Sequence, residues 1–197
     1  MYNTNLKTFL TSNLDIDEKA VLSLVEKCKV KKIKKNEFLL KVNEHCKHTF
    51  FVEKGLLRQY SIDKKGKEHI LSFAPENWFV TDRESSYFNL PSSYFIQALE
   101  DSQVVLLDAS FIQLLSEEIK SFTDFNNKLL HNHIRHLQKR INLLLSASAE
   151  DRYLQFVTMY PDILLRVPQT MVASYLGITP ESLSRVRKEL ARKNFNQ

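Results

Sequence analysis

The sequence predicts an α+β protein in which strands come first and helices follow. Three observations carry this. Short β-branched and aromatic runs, separated by turn residues, fill residues 29–107. The apolar period becomes helical near residue 110. A pair of helices joined at a glycine closes the chain.

At 197 residues, with 43% apolar and 26% charged side chains, the chain suits one or two folded domains. Its 28 basic and 23 acidic residues leave a net charge of +5, which permits a nucleic-acid partner without requiring one. Only 3 glycines occur, so a glycine-rich phosphate cradle is excluded. The opening MYNTNLKTFLTSN lacks the apolar run of a secretory signal. No stretch approaches the roughly 18 apolar residues of a spanning helix. Cys28 and Cys46 are too few for a disulfide framework. The expectation is a cytoplasmic protein without membrane contact.

Asp15-Ile16-Asp17-Glu18 opens a helix through Lys27, with Val21, Leu22, Leu24 and Val25 on one side. Residues 27–35 hold six lysines in nine positions, the pattern of a guarded edge strand rather than a second DNA-facing patch. Phe50–Val52, Leu56–Ile62, His69–Phe73, Tyr94–Ala98 and Val104–Leu107 read as strands. Their boundaries carry turn chemistry at Lys54-Gly55, Asp63-Lys64-Lys65-Gly66, Ala74-Pro75-Glu76-Asn77, Leu90-Pro91-Ser92-Ser93 and Glu100-Asp101-Ser102. Short strands so spaced form a sandwich or barrel.

Ser110 is expected to cap a short helix over Phe111–Glu117, and a longer helix runs from Phe122 to Ala147. Within it Leu130, Ile134, Leu137, Ile141 and Leu144 are spaced 4, 3, 4, 3, an a/d seam. The outer face carries Lys128, Arg135, Lys139 and Arg140, and no acid lies between Asp124 and Glu150. So narrow a seam meets either a second copy of itself, the preferred reading, or the chain's own β domain. A further helix from Ala149 ends at Tyr160-Pro161. Pro168 suits the first turn of the next, which runs to Gly177.

Residues 168–193, PQTMVASYLGITPESLSRVRKELARK, carry the chemistry. Gly177 can take the left-handed conformation that ends one helix. Thr179-Pro180 offers a cap and a first-turn proline for the next. Small Ala173 lets the helices approach, and Leu176, Ile178, Leu183 and Val186 supply their facing surfaces. This is the anatomy of a helix-turn-helix, whose second helix enters the DNA major groove. Residues 181–197 hold five Lys or Arg against two Glu, a local charge of +3. Arg185 can give two hydrogen bonds to guanine and Glu181 can accept from cytosine N4, with Ser182 beside them. Gln169, Thr170, Thr179, Arg187, Lys188, Arg192 and Lys193 are suited to phosphates, which hold register without reading sequence. The plainer reading, a solvated helix with an internal salt bridge, does not account for the cap, the glycine turn and the paired apolar faces together.

At residues 172–187, VASYLGITPESLSRVR, the sequence resembles the Crp/Fnr superfamily of bacterial transcription regulators. Phe51-Val52-Glu53-Lys54-Gly55-Leu56-Leu57-Arg58 and the Gly66-Lys67-Glu68 turn resemble its β-roll less specifically. The resemblance implies a jelly-roll-like antiparallel β-roll over residues 1–121, a dimerisation helix over 122–147 and a winged-helix-like helix-turn-helix domain over 148–197. It implies a homodimer on a pseudo-palindromic operator in double-stranded DNA, recruiting or blocking RNA polymerase. Glu181 and Arg185 fall on the family's base-reading positions, while Pro180 replaces its other base-reading arginine.

Nucleotide-binding members hold ribose and cyclic phosphate with a Gly-Glu and an Arg-Ser pair. The corresponding residues 77–85 and 91–94 contain neither, and the spacing of Arg83 is wrong for a substitute. Tight binding of cyclic AMP is therefore not expected. Tyr60, Phe73, Trp78 and Phe79, with Phe95 and Arg83 nearby, surround the expected pocket. Either a small apolar effector enters there or the roll is filled and takes none.

Iron–sulfur members need four thiolates, which Cys28 and Cys46 cannot supply. Cys46, between His45 and His48, reads as an exposed loop thiol, and His131, His133 and His136 as helix-surface residues. No metal or other cofactor is expected. Nor is enzymatic activity, since no triad or carboxylate pair stands out.

Overall fold

Alternation of apolar residues along the strands decides which faces become core. The structure, a computed structural model, describes residues 4–195. Its strands are β1 (Lys29–Ile33), β2 (Phe38–Leu40), β3 (Thr49–Lys54), β4 (Leu57–Ile62), β5 (Glu68–Ala74), β6 (Phe79–Val80), β7 (Phe95–Ala98) and β8 (Ser102–Leu107). They form two four-stranded sheets, β1-β8-β3-β6 and β2-β7-β4-β5. The pairing is antiparallel, with Phe51 opposite Val105, Val52 opposite Val104 and Leu57 opposite Ala98. Phe50, Val52 and Val104 join Leu57, Ile96 and Ala98 in one core between the sheets. The intervening Phe51, Val105 and Leu107 face a second core made with helices. β1 is an edge strand, as its lysines foretell, with Lys29, Lys31 and Lys32 exposed.

The helices on the second core are α1 (Thr4–Asn13), α2 (Glu18–Val25), α4 (Ala109–Glu118) and the start of α5 (Phe122–Ser146). Asp17 caps α2 as expected, accepting from the Lys19 N–H at 3.0 Å. The sequence reading missed α1, although Leu6, Leu10 and Leu14 recur every four residues and are buried. Buried Glu53 on β3 anchors it, accepting from the N–H groups of Asn5 (2.6 Å) and Leu6 (3.1 Å). Two donors that no helical carbonyl can reach are thereby satisfied.

Asp108, not Ser110, caps α4. Its carboxylate accepts from the Phe111 N–H at 2.9 Å, and Ser110 donates to it at 2.6 Å. Cys46 also departs from expectation. It is buried, its N–H donates to Ser85 Oγ at 2.8 Å, and its sulfur lies 3.3 Å from the His48 carbonyl. The short elements β2, β6, α3 (Arg83–Phe88) and α7 (Ile163–Arg166) fall below the length at which periodicity is visible.

Two compact units result: one comprises the chain up to Lys67 with Leu71–Leu129, the other Glu68–Ile70 with the chain from Leu130. The break falls inside α5, whose first turns contribute Phe122 and Phe125 to the helical core of the first unit. The second unit contains the rest of α5, then α6 (Ala149–Met159), α7, α8 (Gln169–Leu176) and α9 (Pro180–Phe195). Rings of Phe156, Tyr160 and Tyr175 meet at 5.3–5.7 Å in its core, with Ile163, Val172, Leu183 and Val186 buried. Among the described residues no β-wing follows α9. No described helix is long and apolar enough to cross a membrane.

Candidate nucleic-acid interface

The turn between α8 and α9 is built by a few backbone bonds. Gly177 takes φ 66°, ψ 33°, where a side chain is disfavoured. The Ile178 N–H then bonds the Ala173 carbonyl at 3.0 Å and the Gly177 N–H bonds Ser174 at 3.1 Å, closing α8. Thr179 begins α9: the Ser182 N–H donates to its hydroxyl at 3.2 Å. Pro168 precedes the first helical residue Gln169, one position earlier than expected, and its carbonyl accepts from Met171 at 3.0 Å.

From that start α9 has two faces. Leu183 and Val186 are buried and Leu190 is half-buried, while Glu181, Arg185, Lys188 and Arg192 lie exposed on the other side. Spacings of 4, 3 and 4 keep these four in one stripe. The backbone N–H of Glu181 and the Thr179 hydroxyl hold the Glu181 carboxyl below its ordinary pKa, so it stays an acceptor. Arg187, Gln169 and Thr170 are exposed, and Ser182 is half-buried with its hydroxyl accepting from Thr179 at 3.2 Å.

Lys193 is engaged already: its ammonium lies 2.7 and 3.0 Å from the Glu150 carboxylate oxygens on α6. A surface pair of this kind contributes only about 0–1 kcal/mol, so a phosphate can displace it.

The seam residues of α5 lack cover within the chain. Ile134, Leu137, Ile141 and Leu144 are 50, 43, 57 and 41% exposed, and Leu130 is half-buried.

The aromatic residues expected around an effector pocket lie in more than one environment. Tyr60 and Phe95 stack at 5.0 Å, and Arg58 lies 3.9 Å over Tyr60, on the face of β4 opposite the inter-sheet residue Leu57. Strand alternation is the cause: a residue one position along points to the other side. Phe73 is fully buried. Trp78 packs on the inter-sheet core, but Phe79 packs with Phe9 and Phe51 in the helical one. Arg83 is exposed on α3.

Comparison with known proteins agrees with this architecture. Residues 30–118 match a family model described as a cyclic nucleotide-binding domain. The chain is 26% identical over 174 residues to the anaerobic regulatory protein of Pasteurella multocida, covering 82% of this chain and 63% of that protein. It is 26% identical over 165 residues to the transcriptional activator protein Anr of Pseudomonas aeruginosa, covering 78% and 67%. FixK2 from Bradyrhizobium japonicum shares the fold with a TM-score of 0.72 at 18% identity, covering 85% of this chain and 86% of that one.

Residues 30–118 thus resemble a cyclic nucleotide-binding domain, and over most of its length the chain is similar to these bacterial regulators. Its match spans just under two thirds of the length of the first of these relatives. Within this chain, the residues at the expected nucleotide cassette make a closed polar network. Asp82, 3% exposed, accepts from the Ser85 N–H at 3.2 Å as cap of α3 and from Ser92 Oγ at 2.7 Å. Ser92 Oγ in turn accepts from the Tyr94 N–H at 3.0 Å, and Ser85 is committed to Cys46. The sequence reading did not single out Asp82. Its signal was the Asp-x-x-Ser spacing of a helix cap.

Proposed function

We propose that this chain is a Crp/Fnr-type, sequence-specific transcription regulator that binds double-stranded DNA as a homodimer. The exposed Glu181-Arg185-Lys188-Arg192 stripe on α9 carries the reading, because it presents base-reading and phosphate-binding groups together on the second helix of the turn. Glu181, Ser182 and Arg185 read base edges. Gln169, Thr170, Arg187, Lys188 and Lys193 hold phosphates, and Thr179 acts chiefly as the cap that aims the helix. Dimerisation runs through Leu130, Ile134, Leu137, Ile141 and Leu144, placing two α9 helices on half-sites about 34 Å apart.

The β-roll does not bind cyclic AMP tightly. A cyclic phosphate at the cassette would be buried near the carboxylate of Asp82 without an arginine partner, and burying two like charges together is unfavourable. Calorimetric titration should give no low-micromolar binding of cyclic AMP; such binding would overturn this part.

The test of the main reading is anisotropy with DNA selected from a random pool. Log affinity should fall linearly with log salt, with a slope reflecting several neutralised phosphates. A chain that enriches no sequence, or binds without salt dependence, contradicts the proposal.

A further inference from the structure

We infer that the groove walled by α5, α6 and α8 binds a small amphipathic carboxylate, with a short apolar body and one anionic head. The groove lies wholly within the second unit. Leu143, Leu144, Phe156, Met159 and Leu176 make it apolar, and Leu144 belongs to the seam as well. Around them stand Lys139, Arg140, Arg152 and His136, and no carboxylate lines it.

Backbone contacts account for only part of this positive charge. Arg140 donates to the Tyr175 carbonyl at 2.9 Å and lies 3.6 Å over the Tyr175 ring. Arg152 donates through Nη1 to the Leu176 carbonyl at 2.8 Å. Both therefore close the last turn of α8. The Nε of Arg152, however, is buried without a partner. A buried unpaired donor on a cation is unfavourable. A planar carboxylate, which accepts from two neighbouring N–H groups of one guanidinium, matches the free side of that fork.

Size limits the body of the ligand. The cavity of about 70 Å³ is about half the size of one that takes benzene, and about two liquid waters at about 30 Å³ each would fill it. That admits an aliphatic chain of two or three carbons, with the carboxylate at the cationic rim. A nucleotide is too large.

Position suggests the consequence. His136, Arg140 and Leu143, spaced 4 and 3, form a stripe on α5 beside the seam of Ile134, Leu137, Ile141 and Leu144. An occupant therefore touches the helix that offers the dimer seam and α8, which sets the start of α9. It should shift DNA affinity as well as stability. That regulatory consequence rests on the DNA-binding reading above, whereas the site itself does not.

Calorimetry on the full chain tests the site with propanoate and butanoate, each against its neutral amide. One equivalent of acid should bind per chain. The amides should bind about tenfold or more weakly, as expected for loss of a charge-assisted hydrogen bond. Arg152→Gln should weaken the acids about tenfold. Met159→Trp, which fills the groove from a position 36% exposed, should abolish binding even if Arg152→Gln proves unstable.

Equal affinity for acids and amides, no binding of either acid up to millimolar concentration, or wild-type binding by both variants overturns the proposal. Binding seen only in a monomeric Ile141→Lys chain also overturns it, since the groove would then belong to a second copy. DNA anisotropy with and without butanoate separates the two readings. Butanoate binding without change in DNA affinity removes only the regulatory consequence, while absence of any DNA binding faults the earlier proposal and leaves the site standing.

Discussion

Replacing Ile141 with lysine should separate the protomers. Ile141 is 57% exposed within its own chain, so a partner helix has that fraction left to cover. Burying a whole isoleucine contributes about 1.5–3 kcal/mol, hence about 0.9–1.7 kcal/mol for this share. A symmetric pair doubles the term to about 1.8–3.4 kcal/mol, and two ammonium groups brought to one seam oppose association further. At about 1.4 kcal/mol per decade, dimerisation should weaken at least 20- to 300-fold. The monomer should keep its fold, because the site is mostly solvated already. Sedimentation equilibrium over a concentration series gives the dissociation constant, and circular dichroism checks the fold. A well-folded Ile141→Lys chain that dimerises as tightly as wild type would show that the seam is not the interface.

Other expectations follow from single sites. Gly55 adopts φ 97°, and a Cβ there would collide with the Ser102 side chain, so Gly55→Ala should cost about 2–4 kcal/mol and lower the Tm clearly. An unchanged melting curve would mean that this turn relaxes freely. Burial, with Asp108 nearby, pushes the Cys28 thiol up to about 12, and Cys46 is 4% exposed. Because the thiolate is the nucleophile, iodoacetamide at neutral pH should modify neither until denaturant is added; rapid labelling of the folded chain would contradict this. Burial, then the charges of Arg140 and Lys139, hold His136 below its ordinary pKa. The unfolded chain therefore binds more protons in the window between the lowered value and about 6.5, and stability should fall as pH drops through it. His136→Asn should flatten that part of the pH–stability curve, and an unaltered curve would refute the assignment.

What was legible in the sequence was what depends on neighbours along the chain. Gly177 and Thr179-Pro180 reveal the helix-turn-helix because helix ends are local chemistry. The 4, 3, 4, 3 spacing on α5 shows its seam because a single helix sets that face. Features assembled from distant segments were hidden. The anchor of α1, Glu53, lies 48 residues from Asn5, and the cap that buries Cys46 comes from Ser85, 39 residues on. Tyr60 and Phe73 were recognisable as strand residues, but one residue of parity decides whether a ring points between sheets or away, and composition does not carry it. The groove beneath Arg152 needs α5, α6 and α8 together, so no single stretch announces it.

The claim that α9 reads base edges meets its most direct test in a comparison of wild-type and Arg185→Ala chains. Each is titrated with the selected operator and with scrambled DNA at one salt concentration. The variant should lose about 1–3 kcal/mol on the operator while binding scrambled DNA almost as before, so that discrimination narrows. If Arg185→Ala discriminates as sharply as wild type, or weakens both DNAs equally, this arginine holds phosphate or faces nothing, and α9 is not the reading helix.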